Sequence, residues 1–227
     1  MIIQNRPMRR LGTLVAAIVT LTGVPLLAIA PSARAQILFE ESGTLQPMTD
    51  DYTFEGTAGQ QVTIAMQSEE FDTLLVLLGP DGQEVASNDD YGRSLNSTIV
   101  ISLPANGTYT ASARSFAGQG GNYTITVRPS TPYDLAYAKG QEAMRSGDSA
   151  GAIAAYTEAI EADPDQPTAY LDRADMYWSQ TDTDAVVADY QRAIAIYERS
   201  GNMDMVQLLQ EQLSYIQNPP TEESMPF

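Results

Sequence analysis

From Gln36 to about Arg128 the apolar positions recur at every second residue. Val62, Ile64 and Met66 keep this spacing, as do Leu74, Val76 and Leu78, then Ile99, Ile101 and Leu103, Tyr109, Ala111 and Ala113, and Tyr123, Ile125 and Val127. Period two puts the apolar side chains of a run on one face of a half-buried strand. The runs are separated by Thr57-Ala58-Gly59-Gln60, Pro80-Asp81-Gly82, Asn106-Gly107 and Gly120-Gly121-Asn122, all of which suit tight turns. The pattern predicts seven or eight short strands over residues 36–129, folded as an antiparallel β-sandwich.

At Pro132 the period changes to that of a helix, and the texture changes to Ala, Glu, Asp and Gln. Thr131 is placed to cap the first helix, with Pro132 at its first position. The domain boundary therefore falls near residues 129–132. Sliding the helical half along itself by 34 residues lays Asp148 on Asp182, Tyr156 on Tyr190, Ala159 on Ala193 and Ile160 on Ile194 without a gap, and sets Gly140 on Ala174. Such a period, with small residues where helices approach and an aromatic between them, predicts stacked helical hairpins. Each hairpin needs a neighbour to bury its apolar face, and Met205, Leu208, Leu209, Leu213 and Ile216 carry a further stripe that makes residues 201–217 a capping helix. Residues 218–227 have no core-forming pattern and are expected to be a disordered tail.

The first 35 residues differ from both halves. Arg6, Arg9 and Arg10 precede an uncharged run from Leu11 to Ala30, followed by Pro31-Ser32-Ala33-Arg34-Ala35. A basic start, an apolar stretch and an Ala-x-Ala site describe an export signal over residues 1–35, cleaved before Gln36. The alternative is a retained anchor, since the run is long enough to span a bilayer. Gly12, Gly23 and Pro25 weaken it as a permanent helix.

Composition narrows the chemistry. The chain of 227 residues contains no Cys and no His, which removes Ser-His and Cys-His nucleophile pairs, disulfides and the usual zinc ligands. Its lone lysine, Lys139, has no Ser-x-x-Lys partner, and nearby carboxylates are inevitable among 29 acidic residues. No catalytic residue is predicted. Residues 36–130 hold 3 basic and 12 acidic residues, net −9, and residues 131–227 hold 5 and 17, net −12. Both halves repel anions, so nucleic acid is not an expected partner.

The repeat resembles the tetratricopeptide motif in two copies, residues 133–166 and 167–200. Gly140, Ala152, Tyr156, Ala159 and Pro164 fit the first copy, and Tyr170, Ala174, Tyr177, Tyr190 and Ala193 the second. Ala136 and Ala143 are smaller than usual, and Tyr197-Glu198-Arg199-Ser200 lacks the closing proline. The preceding half is similar to the bacterial pre-peptidase C-terminal domain through Tyr52-Thr53-Phe54-Glu55-Gly56, Phe71-Asp72-Thr73, Gly79-Pro80-Asp81-Gly82, Ser87-Asn88-Asp89-Asp90, Leu103-Pro104-Ala105-Asn106-Gly107-Thr108-Tyr109 and Gly121-Asn122-Tyr123. That likeness implies a jelly-roll-like sandwich that is a non-catalytic accessory of exported proteins.

The two resemblances imply two sites. In tetratricopeptide proteins the first helix of each hairpin lines a groove, which here would present Tyr137, Gln141 and Met144, then Leu171, Asp175 and Trp178. Trp178 is either an anchor for a partner segment or, with Tyr177, packing for the capping helix. Such an acidic groove favours a basic or apolar protein or peptide segment. In the sandwich, Asp72, Asn88, Asp89 and Asp90 offer hard oxygen ligands suited to calcium, as in collagen-binding modules of related fold. The other reading of these residues is that they bond their own turns. Three Asn-x-Ser/Thr sequences, at Asn96, Asn106 and Asn122, read as turn residues. The expected function is a non-catalytic exported adaptor, in the periplasm or outside the cell. The alternatives are a surface- or polymer-binding protein acting through the sandwich and an accessory to a separate secreted peptidase.

Overall fold

The computed structural model describes residues 37–45 and 49–218. The export signal, and all of the tail but Asn218, lie outside the described residues. The chain divides into two compact units between Pro129 and Ser130.

The first unit is an eight-stranded antiparallel sandwich. Its strands are β1 (Phe39–Leu45), β2 (Asp50–Gly56), β3 (Gln61–Gln67), β4 (Thr73–Leu78), β5 (Glu84–Asn88), β6 (Ser97–Ser102), β7 (Gly107–Ser115) and β8 (Gly121–Pro129). One sheet has the order β1-β8-β3-β6 and the other β2-β7-β4-β5, the arrangement of a jelly roll. Register follows the pleat. Ile64 pairs with Ile99 and with Val127, so the apolar faces of three strands coincide. Val62, Ile64, Met66, Tyr109, Ala111, Ala113, Ile125 and Val127 are all fully buried between the sheets. Gly107, the first residue of β7, has φ +140°, and a Cβ there would lie 2.8 Å from Pro80; only glycine combines that dihedral with so close an approach.

β4 corrects one expectation. The spacing assigns Leu74, Val76 and Leu78 to its core face, but Leu75 and Leu77 occupy the core while Leu74 and Leu78 are half-buried. β4 lies between β7 and β5, and Val76 on its other face is also covered. A strand that is apolar on both faces has no alternation from which to choose the core side. Thr73 begins this strand in the core, where its hydroxyl lies 2.6 Å from that of Ser97.

The second unit contains α1 (Pro132–Arg145), α2 (Ser149–Ala162), α3 (Pro167–Ser179), α4 (Thr183–Ser200) and α5 (Met203–Gln217). Thr131 caps α1 in a reciprocal box: Asp134 N donates to the Thr131 hydroxyl at 3.1 Å and Thr131 N to the Asp134 carboxylate at 2.7 Å. Asp148 and Asp182, one repeat apart, cap α2 and α4 through Gly151 N and Ala185 N. Gly140 brings α1 against α2, where a Cβ would meet the buried Tyr156 ring at 2.5 Å. The capping helix starts at Met203 because Gly201, at φ 76°, closes α4 and the Asn202 side chain caps α5. Its Val206 and Leu209 complete a core with Leu171, Ala174, Val186, Tyr190 and Ala193.

Candidate functional site

The groove residues expected from the repeat fall into two sets. Tyr137 and Leu171 are buried, at 2% and 1% exposure. They correct the expected lining, because side chains so enclosed present no surface to a ligand. Gln141 and Met144 are half-buried. Gln141 Nε2 lies 2.9 Å from Asp172 Oδ2 and 3.1 Å from the hydroxyls of both Tyr137 and Tyr156. The Tyr156 hydroxyl reaches Met144 Sδ at 3.8 Å, and Tyr137 donates to Asp172. This network joins α1, α2 and α3 through polar groups that satisfy one another. Burial and the neighbouring Asp172 hold the Tyr137 phenol above its ordinary pKa, so it remains a donor.

Asp175 and Trp178 are exposed on α3, Trp178 at 55%. With Asp172 they recur every three residues, which sets them along one face of the helix. Tyr177 turns the other way and packs against the core that includes Val206 and Leu209. The two adjacent aromatics therefore divide the roles: Tyr177 serves the capping helix and Trp178 meets solvent.

A residue that sequence reasoning missed organises this unit. Arg173 places Nε 2.9 Å and Nη2 2.6 Å from the two carboxylate oxygens of Asp189, and Nη1 2.9 Å from the Thr157 hydroxyl. Its guanidinium also lies 5.8 Å from the ring centres of Tyr170 and Tyr177, within cation–π range. Burial works against its charge, but the hydrogen bonds and charge of Asp189 outweigh it and raise its pKa. In the 34-residue register Arg173 falls on Lys139 and Asp189 on Ala155. Lys139 instead meets Glu158 at the surface, so the repeat gave no signal of a buried pair.

In the sandwich, Asn88 Oδ1 accepts from Thr98 N at 2.8 Å and its amide donates to Asp90 O at 2.9 Å. Asp89 Oδ1 accepts from Asp90 N at 3.0 Å. Asn88 thus ties the end of β5 to its own loop and to β6, and Asp89 bonds within the loop. Asp72 Oδ1 is buried with no hydrogen-bond partner, and desolvation, then the charges of Asp90 and Asp89, raise its pKa. Among the described residues no group of three or more acidic residues is arranged to hold a metal ion, and Asn88 has both ends of its amide engaged. The set does not fit calcium as it stands. The three sequon asparagines do more than turn the chain: Asn106 accepts from Ala58 N, Asn96 from Ser68 N and Asn122 from the Thr44 hydroxyl.

Among the described residues no helix is long and apolar enough to cross a membrane. A family model of the bacterial pre-peptidase C-terminal domain matches residues 48–115, and one of the tetratricopeptide repeat matches residues 137–200. No curated protein matches the chain. Solved structures resemble it in part. A periplasmic inhibitor of g-type lysozyme from Aeromonas hydrophila is 18% identical, with 45% of this chain and 93% of that one covered and a TM-score of 0.36. A tetratricopeptide repeat domain protein from Salinibacter ruber is 23% identical, with 39% and 99% covered and a TM-score of 0.35. The pre-peptidase C-terminal domain of a Bacillus anthracis collagenase is 19% identical, with 39% and 87% covered and a TM-score of 0.33. The family models alone therefore find in this chain a bacterial pre-peptidase C-terminal domain over residues 48–115 followed by a tetratricopeptide repeat region over residues 137–200, in the order the residues indicated.

Proposed function

We propose that this protein is an exported, non-catalytic adaptor whose repeat unit binds a protein segment, with Trp178 as the anchor and Asp175 beside it. The exposure of Trp178 carries the reading. Tyr156 and Tyr190, one repeat apart, are buried, as are Tyr137 and Tyr170, whereas the chain's single tryptophan is 55% exposed. An amphipathic ring held on a rigid helix supplies binding area at little entropic cost. The surrounding unit is net −12 over residues 131–227, so a basic segment with apolar side chains is preferred over an acidic one. Export rests on the signal-like first 35 residues and on a domain type common in exported proteins, and it leaves both periplasm and exterior open as destinations.

Because Trp178 is the only tryptophan, its fluorescence reports directly on this site. Basic amphipathic peptides are expected to shift its emission in a saturable, salt-sensitive manner, and acidic peptides are not. Replacing Trp178 and Asp175 by Ala together should weaken binding, measured by calorimetry, at least about tenfold. Undiminished binding by the double variant, or a preference for acidic peptides, would overturn the proposal.

A further inference from the structure

The sandwich holds an open concavity of about 770 Å³ that belongs to none of the sites above. Four segments distant in sequence build it: residues 42–44 of β1, 67–70 at the end of β3 and beyond it, Asn96 before β6 and 122–124 of β8. Its volume is in the range of small-ligand sites, but its walls are polar. Among the described residues no Lys or Arg lines it.

The walls are fixed before any ligand arrives. Glu70 is exposed, yet its two oxygens accept from Asn122 N at 2.9 Å and Asn122 Nδ2 at 2.8 Å. Ser68 donates its hydroxyl to Asn122 O at 2.8 Å, and Ser68 N donates to Asn96 Oδ1 at 2.9 Å. Glycine at 121 makes room, since a Cβ there would lie 2.6 Å from Glu70 Oε2. The backbone N–H of Asn122, then its amide, lower the Glu70 pKa, so the carboxylate stays an acceptor at neutral pH. Each of its oxygens keeps a lone pair for a further donor. The Asn96 Nδ2 and the Gln67 amide have no partner among the described residues and add donors to the same walls.

The ligand chemistry follows from this mixture. Glu69 and Glu70 repel anions. A guanidinium or ammonium group would satisfy the acceptors but leave the amide donors facing other donors. A sugar hydroxyl is at once one donor and two acceptors, and it can bridge a carboxylate and an amide in the way this concavity places them. We propose that this end of the sandwich is a binding site for a neutral saccharide, with Glu70, Asn96 and Gln67 reading its hydroxyls. The inference is independent of the peptide-binding reading, which concerns the helical unit.

The test uses the full chain with maltotetraose, cellotetraose and N-acetylchitotetraose in amide-detected NMR titrations, and the insoluble parent polymers in sedimentation assays. One of these is expected to move the amides of residues 67–70, 96 and 122–124 at millimolar concentration. Gln67→Ala, which breaks no side-chain hydrogen bond among the described residues, and Glu70→Gln should each weaken it several-fold, and Trp178→Ala should leave it unchanged. Sedimentation without a response to the tetrasaccharides would assign the site to polymer surfaces, provided the two concavity variants abolish it. If no saccharide moves these amides and no polymer is bound, or if binding is indifferent to Gln67→Ala and Glu70→Gln, the inference fails. Displacement of a bound saccharide by tetra-arginine but not by other saccharides would likewise overturn it in favour of a cation site.

Discussion

Arg173 and Asp189 form a two-pronged ion pair between α3 and α4, with their side chains only 15% and 5% exposed. The pair is nearly dry, and Thr157 and two tyrosine rings occupy the rest of the guanidinium. Removing one partner leaves an uncompensated charge inside, which costs about 3–5 kcal/mol. Asp189→Ala, which strands the guanidinium, and Arg173→Met, which strands the carboxylate, are each expected to lower stability by that order in chemical denaturation, whereas the double variant Arg173→Met with Asp189→Leu removes both charges and should lose less than either. A double loss equal to the sum of the single losses would mean that packing rather than charge governs this junction.

Gly140 poses a contest between two effects. In an exposed helix interior, replacing Gly by Ala stabilises by about 1 kcal/mol. Here the new methyl group would stand 2.5 Å from the ring of Tyr156, which is fully buried, and overpacking costs about 1–3 kcal/mol. The clash outweighs the propensity, so Gly140→Ala should lower the melting temperature. A rise would show that Tyr156 can retreat.

Thr181 is the one non-glycine with positive φ among the described residues, at 61°. Its counterpart 34 residues earlier is Gly147, at φ 79°. A β-branched residue is strained in this region, so Thr181→Gly should raise stability by about 1 kcal/mol after the added freedom of the unfolded glycine is discounted. Thermal unfolding of the single variant tests this, and the binding attributed to Trp178, three residues away, should be unaffected.

Asp72 makes stability depend on pH in the direction opposite to a salt-bridged carboxylate. Its folded pKa lies above the ordinary 3.8, so the folded state binds its proton more tightly than the unfolded state does. The penalty is fully present once pH exceeds the raised folded value, and it disappears as pH falls through that value to below 3.8. Asp72→Asn is expected to raise the melting temperature at pH 7, with the difference closing on acidification. Millimolar calcium should leave the wild-type melting temperature where it is, since Asn88 is committed to its loop. A calcium-induced rise that disappears in Asp72→Asn would instead make these residues a cation site.

Local patterns carried much of the architecture. The runs at Val62–Met66, Tyr109–Ala113 and Tyr123–Val127 became strands with those residues inside, and the small and aromatic positions of the repeat were legible, although that Gly140 meets Tyr156 was not. The cap at Thr131 was legible too, because capping uses residues three apart. The candidate sites were less so. The resemblance to the tetratricopeptide motif named Tyr137, Leu171, Asp175 and Trp178 alike, and only the packing of neighbouring helices separated the buried pair from the exposed one.

What the amino-acid order determined by itself was therefore the set of elements, their caps and turns, the 34-residue repeat and the acidity of both units, since each depends on residues close along the chain or on their sum. Tertiary structure alone decided which face of β4 meets the core, that Tyr177 packs half-buried against a core while Trp178 does not, that Arg173 finds Asp189, and that four separate segments line the polar concavity around Glu70. These features arise between elements that are remote in sequence, where a pattern of spacing has no information about which side chains will meet.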